Sequence, residues 1–261
     1  MISGSRASST VPRSGQSEAD WQVMELGDFQ RDIPVWVSIA EESPGPVLEI
    51  GAGAGRVTFP LVEAGCEVIA LEPRADLAEF LRLEGEARGI DLIVEHSSLE
   101  EMRRIDPAPE LVIAPMQVIH HVPPQDLPGA LRRLIGLWEQ PPTLAISLLQ
   151  DDRLKEGVVD PETIPEMRES GDWVYASRVT RVECTEATVT LERARESVGP
   201  EGQISIESKT EILWRLRQEA LVEEMELNRY RLERCEVLPP EVRSVPSHLL
   251  VFSPASGPVG P

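Results

Sequence analysis

The chain has 261 residues, of which 41% are hydrophobic and 27% charged, enough apolar material for one large α/β domain or a core with an added subdomain. Its 45 acidic against 25 basic residues leave a formal charge of −20, which opposes unassisted binding to a nucleic-acid backbone or an anionic membrane. Three scattered cysteines, Cys66, Cys184 and Cys235, form neither a CxxC pair nor a Cys/His cluster, so they read as reduced thiols and no metal site is expected.

Residues 1–18, rich in Ser, Gly and Arg, have no hydrophobic periodicity and are expected to be a disordered tail. No apolar run is long enough for a signal sequence or a membrane span, and a cytoplasmic location is expected. An opening helix follows, with Ile33, Trp36, Val37 and Ala40 at helical spacing and Pro34 in its first turn. From residue 46 short apolar runs at 46–50, 67–71, 91–96, 111–114 and 143–149 alternate with helical patterns at 74–88, stopped by Gly89, and at 126–138. Strict alternation predicts a Rossmann-like, doubly wound α/β sheet of seven strands, mostly parallel.

After residue 150 the pattern becomes antiparallel. Three strands are expected within 172–217, with turns near Thr185–Ala187 and at 199–202, followed by a helix carrying Leu221 and Met225 and two final strands. The expected organisation is a tail (1–18), a core (19–150), an antiparallel insert capping the substrate (151–215), a return to the core sheet (216–254) and a second tail (255–261).

The most informative stretch is "VLEIGAGAGRVTFPL". A buried strand ends at Glu49 and Ile50, and Gly51, Gly53 and Gly55 occupy alternate positions before the next helix, giving a tight turn that a ligand can approach without meeting a Cβ. A dinucleotide fingerprint would put its third glycine where Arg56 stands. Glu49, two residues before the first glycine, would repel a diphosphate but would receive an ammonium. Glu72, at the end of the next strand, can accept both hydroxyls of a ribose.

With these features the chain resembles the class I S-adenosylmethionine-dependent methyltransferases, "VLEIGAGAGR" and "VIALEP" standing as their first two motifs over about residues 20–150, the likeness resuming over 216–254. The resemblance implies S-adenosylmethionine as cofactor, with Glu49, Gly51, Ala52, Gly53, Gly55 and Arg56 around its methionine part and Glu72 and Pro73 at the ribose. Ser98 and Leu99 would meet the adenine, Ser98 standing where the family commonly has an acid, and Ala114 and Gln117 lie in the fourth motif, beside the methionine end and the substrate. The implied activity is methyl transfer to an N, O or C nucleophile of a small molecule, of the natural-product or metabolite kind. A relative that keeps the cofactor as a structural ligand for a cyclisation is the alternative, and release of S-adenosylhomocysteine separates the two.

Parallel sheets place ligands at the carboxyl ends of their strands, so His121 and His120, directly after the fourth strand, are the candidate bases. His96 and His248 lie on expected strands and read as structural. Trp21 and Trp36 near the N-terminus, and Trp173 and Tyr175 at the start of the insert, are candidate substrate contacts through their ring faces. The expected partner is a small-molecule substrate, and the sequence leaves the oligomeric state open.

Overall fold

A computed structural model describes residues 17–161, 164–239 and 246–255. The expected tails therefore fall almost wholly outside the described residues, but residues 17 and 18 do not belong to one. Helix α1 (Glu18–Leu26) starts with a capping box in which the Ser17 hydroxyl accepts from the Asp20 amide and the Asp20 carboxylate accepts from the Ser17 amide. That Ser-x-x-Asp pattern, followed by Trp21 and Met24, was the sequence signal for a helix here.

Helix α2 (Ile33–Glu41) leads into β1 (Val47–Ile50), α3 (Thr58–Glu63), β2 (Val68–Leu71), α4 (Ala75–Arg88), β3 (Ile93–Glu95), β4 (Leu111–Ala114), α5 (Leu127–Ile135) and β5 (Thr143–Leu149). Gly89 closes α4 in a left-handed conformation at φ 69°, which is why the helix stops there. Helix α5 ends at Ile135, short of the expected 138, because Gly136 supplies its C-cap. Trp138 is buried nonetheless, its Nε1 donating to the Ile105 carbonyl at 3.2 Å.

These strands build a seven-stranded sheet in the order β11-β12-β5-β4-β1-β2-β3, in which β11 (Tyr230–Val237) and β12 (Ser247–Pro254) are the antiparallel members. Helix α6 (Gln218–Leu227) precedes them. Side-chain alternation along β1 splits its apolar run between two faces: Leu48 and Ile50 pack with Leu127, Leu131 and Met225, while Val47 packs with Trp36, Ile39 and Leu61. Burial on both faces explains why β1, β2 and β4 read as continuous apolar runs.

Among its described residues the insert holds five strands where three were expected: β6 (Gly157–Val159), β7 (Glu166–Ser170), β8 (Trp173–Cys184), β9 (Thr188–Val198) and β10 (Ile204–Trp214). The sheet order is β10-β9-β8-β6, with β7 also on β8. Strands β6 and β7 are mostly exposed and so lack the apolar alternation that marks a half-buried strand. Among the described residues no helix is long and apolar enough to cross a membrane.

Candidate active site

Chain direction reverses its progress across the sheet between β1 and β4, and the loops after β1, β2 and β4 open on the same edge. A cleft of about 890 Å³ lies there, roofed on one side by α1 and on another by β9 and β10. Gly51, Gly53 and Gly55 border it with φ of 68°, 58° and 85°, a region that disfavours any side chain with a Cβ. The loop is held by its own backbone: the amides of Gly51 and Ala52 donate to the Leu71 carbonyl at 2.8 and 3.1 Å.

Two carboxylates frame this loop. Glu49 is buried on β1 and lines the cleft, and it accepts a hydrogen bond from the Thr58 hydroxyl at 2.6 Å. Burial, opposed by that bond, pushes its carboxyl up to about 7. An acid so placed is matched by a ligand that brings a positive charge. Glu72 accepts the Gly53 amide at 2.8 Å and the Arg74 amide at 2.9 Å, so it fixes the loop as well as facing the cleft. Its carboxyl is raised by burial, those two amides working against the shift.

Ala52, Arg56, Pro73, Ser98 and Leu99 also line the cleft. The Arg56 guanidinium is engaged elsewhere, in a paired contact with Asp32 at 2.6 and 2.8 Å and a bond to the Phe29 carbonyl at 2.6 Å, which ties the glycine loop to the start of α2. Ala114 is buried in β4 away from the lining, and Pro115 and Met116 take that place. The backbone after β4 is strained, Met116 and Gln117 both being left-handed at φ 49° and 55°. Gln117 stays in the lining and anchors this bend by donating to the Ser247 hydroxyl at 2.7 Å.

The two histidines separate. His120 is fully buried, with one ring nitrogen on the Trp214 carbonyl at 2.7 Å and the other accepting the Leu149 amide at 3.1 Å. Both nitrogens are occupied and burial pushes its pKa down to about 4, so the expectation that it serves as a base is corrected to a structural role. His121 lines the cleft with an accessible side chain, its Nε2 3.4 Å from Glu211 Oε1. His96 lies just beyond β3 and bonds the Pro73 carbonyl, and His248 pairs with Gln218.

None of the four aromatic candidates lines the cleft. Trp36 is fully buried in the core, donating to Asp32 at 3.0 Å. Trp21 stands edge-on to Tyr175 at 5.8 Å, and Trp173 stacks on Tyr175 at 6.2 Å, so all three fasten α1 to the cap. Arg195, on β9, completes that fastening with two bonds to Glu25, both at 2.8 Å, and two to Glu18, at 2.8 and 3.2 Å, while the Ser177 hydroxyl donates to Glu25 at 2.6 Å. Burial works against the Arg195 charge, but the two carboxylates outweigh it and raise its pKa.

The residues missed from sequence are Gln22, whose side-chain carbonyl accepts the Ala54 amide at 3.0 Å, and the cap residues Arg193, Lys209 and Glu211. Helical spacing alone does not say which face of α1 meets the glycine loop. Leu191, Arg193 and Arg195 of β9 and residues 209–213 of β10 reach the cleft only because of how the cap sheet docks. Arg193 and Lys209 lie near acids of the same wall, Arg193 within 3.5 Å of Glu166 and Lys209 within 3.3 Å of Glu18.

Residues 47–139 match a family model described as a methyltransferase domain. Among curated proteins, the ubiquinone biosynthesis O-methyltransferase of Xylella fastidiosa (strain 9a5c) is 32% identical over 77 residues, which is 30% of this chain and 31% of that protein. The match thus spans about a third of the curated relative. Of solved structures, the CcbJ methyltransferase from Streptomyces caelestis superposes with a TM-score of 0.61 at 20% identity, covering 86% of this chain and 94% of that one. The sugar N-methyltransferase KedS8 from Streptoalloteichus sp ATCC 53650 gives 0.66 at 15% identity, covering 98% and 99%. CalS10 from Micromonospora echinaspora, an amino pentose methyltransferase solved with S-adenosylmethionine bound, gives 0.60 at 12% identity, covering 91% and 92%. At these identities the structural likenesses establish the fold.

Proposed function

We propose that this chain, whose residues 47–139 match a methyltransferase domain, is a class I S-adenosylmethionine-dependent methyltransferase that methylates an amine nitrogen of a small molecule seated between the glycine loop and the cap. The observation that carries the choice of an amine is the pairing of His121 with Glu211 at 3.4 Å, both accessible in the cleft. The nearby cations are paired with acids, Arg195 with Glu18 and Glu25 and Lys209 with Glu18, which leaves Glu211 as the carboxylate beside His121 for an incoming ammonium. The relatives described as sugar N- and amino pentose methyltransferases support the same reading. The O-methyltransferase match is confined to 77 residues and does not bear on the acceptor.

The residues present suit the cofactor: a loop of left-handed glycines, a buried acid with a raised pKa at its start and a second acid after β2. Glu49 would receive the ammonium of the methionine part, Glu72 the ribose hydroxyls, and Ser98 and Leu99 the adenine. When bound, S-adenosylmethionine supplies an electrophilic methyl group on a sulfonium sulfur. Glu211 receives the ammonium of the acceptor and supports His121, which takes one proton from it. The freed nitrogen lone pair would form the new bond to carbon as the carbon–sulfur bond breaks, the bonding pair leaving with the thioether sulfur of S-adenosylhomocysteine, and the proton leaves His121 for solvent. Holding nucleophile and methyl group in line is the larger part of the acceleration, and the proton transfer adds to it.

His121→Ala is expected to lower kcat about 10²- to 10⁴-fold, and Glu211→Gln less, both with cofactor affinity unchanged. The measurement is S-adenosylhomocysteine released in single turnovers across a panel of amines and the matching alcohols. Full activity in both variants, or turnover with alcohols alone, overturns the amine assignment.

Glu49 predicts a pH dependence. A carboxyl raised to about 7 holds its proton below that pH, and a cationic ligand requires it ionised. Between pH 5 and 7 the affinity for S-adenosylmethionine should climb with pH, approaching about tenfold per unit at the acid end, and flatten above 7. Titration calorimetry should find that slope lost in Glu49→Gln. In the free protein the same shift costs stability as pH rises from the ordinary carboxylate range through 7, so Glu49→Gln should flatten the melting temperature over that window.

A further inference from the structure

Strand β10 runs for 11 residues and pairs in unbroken register with β9, from Ile204 against Val198 to Trp214 against Thr188. Among the described residues it has no strand on its other side; His120 takes the Trp214 carbonyl at one end of that edge, and the backbone row from Ile204 to Ile212 is left without a pairing strand. Of the devices that usually protect such an edge it has the charges, Glu207, Lys209 and Glu211, but not three others. The strand contains no proline, its pairing with β9 has no bulge, and it is about twice the common strand length. Ile204 and Ile206 are each 66% exposed, and Ile212, at the margin of the cleft, is 50% exposed.

The order of residues along this edge is self-complementary. If two copies lie antiparallel with Ser208 opposite its own counterpart, Glu207 faces the partner subunit's Lys209 and Lys209 faces the partner subunit's Glu207. In that register Ile204 meets the partner subunit's Ile212, and Ile206 meets the partner subunit's Thr210. One alignment therefore yields two opposite-charge pairs and covers all three exposed isoleucines. Slipping the strands by two positions so that Lys209 pivots on itself would set like charges face to face. The exposed apolar residues alone would not choose a partner. The charge order does, and it selects a second copy of this chain.

We propose that two copies associate through β10, edge to edge about a two-fold axis at Ser208, and join their cap sheets into one continuous sheet. Lys209 and Glu211 of each copy line its own cleft from this same strand, so the interface would brace the cap wall of both clefts. The assignment is independent of the reaction the cleft performs.

Sedimentation of the full chain should find a species of about 58 kDa, twice the 28.9 kDa of one chain. Glu207→Lys and Lys209→Glu, made singly, place like charges opposite each other twice, and should weaken association about tenfold or more. The doubly exchanged chain restores opposite charges across the axis and should recover the dimer. Within one chain the exchange does the reverse, since Lys209 then lies as an acid beside Glu18 and Glu207 as a base beside Arg195. Recovery therefore reports on the contact between copies. Ser208→Cys in a Cys235→Ser background should form a disulfide-linked dimer on mild oxidation, and Thr210→Cys in that background should not. A monomer at tens of micromolar, a dimer indifferent to both single exchanges, or cross-linking at residue 210 in preference to 208 would overturn the proposal.

Discussion

The Glu72→Ala protein is expected to bind S-adenosylmethionine about 5- to 150-fold more weakly, the equivalent of about 1 to 3 kcal/mol. Two losses combine. The carboxylate has lone pairs beyond those that accept the Gly53 and Arg74 amides, and these are the acceptors for a vicinal diol. Its removal also takes away the oxygen that accepts the Gly53 amide at 2.8 Å, and loosens a loop whose left-handed glycines owe their placement in part to that bond. Glu72→Gln should lose less, because one oxygen remains, but its amino group must then face one of two amide donors. Calorimetric titration checks both variants, and an affinity equal to that of the parent would remove Glu72 from the cofactor site.

Arg195→Met is expected to be the most destabilising single change, at about 3 to 5 kcal/mol. Arg195 is 3% exposed and its fork binds both Glu25 oxygens and Glu18, so the variant leaves the buried Glu25 carboxylate without its main counter-charge. The midpoint of thermal unfolding should fall by about 6 to 20 °C, at about 2 to 4 °C per kcal/mol for a domain of this size. Adding Glu25→Met should return a large part of the loss, since what destabilises the single variant is the unpaired charge. Cofactor affinity should fall as well, because Gln22 on the same helix holds the Ala54 amide of the glycine loop. A scanning-calorimetry shift below about 2 °C would show that α1 does not rely on this cluster.

The two predictions differ in how far they could be reached from sequence. Glu72 was legible because the distance from a glycine loop to the tip of the next parallel strand is set by one strand, one turn and one helix, all local patterns. Arg195 was not, because it pairs with acids about 170 positions earlier, and no local pattern relates β9 to α1. The same contrast runs through the histidines. Placement after β4 marked both as candidates, yet only the docking of β10 against that turn buries His120 under the Trp214 carbonyl and leaves His121 facing Glu211. The aromatic residues misled for a related reason. Trp21, Trp173 and Tyr175 looked available to a substrate, and they are packed on one another between helix and cap, where Trp21 and Tyr175 are buried and Trp173 partly so.

By itself the sequence determined the alternating core, the glycine bend and the two acids beside it, since each depends on residues within a few turns of one another and on backbone preferences that act locally. The tertiary structure alone decided which wall of the cleft each cap side chain joins, which histidine stays accessible and which charges neutralise one another. Those outcomes depend on contacts between segments far apart in the chain, where burial and pairing, rather than local periodicity, select the final arrangement.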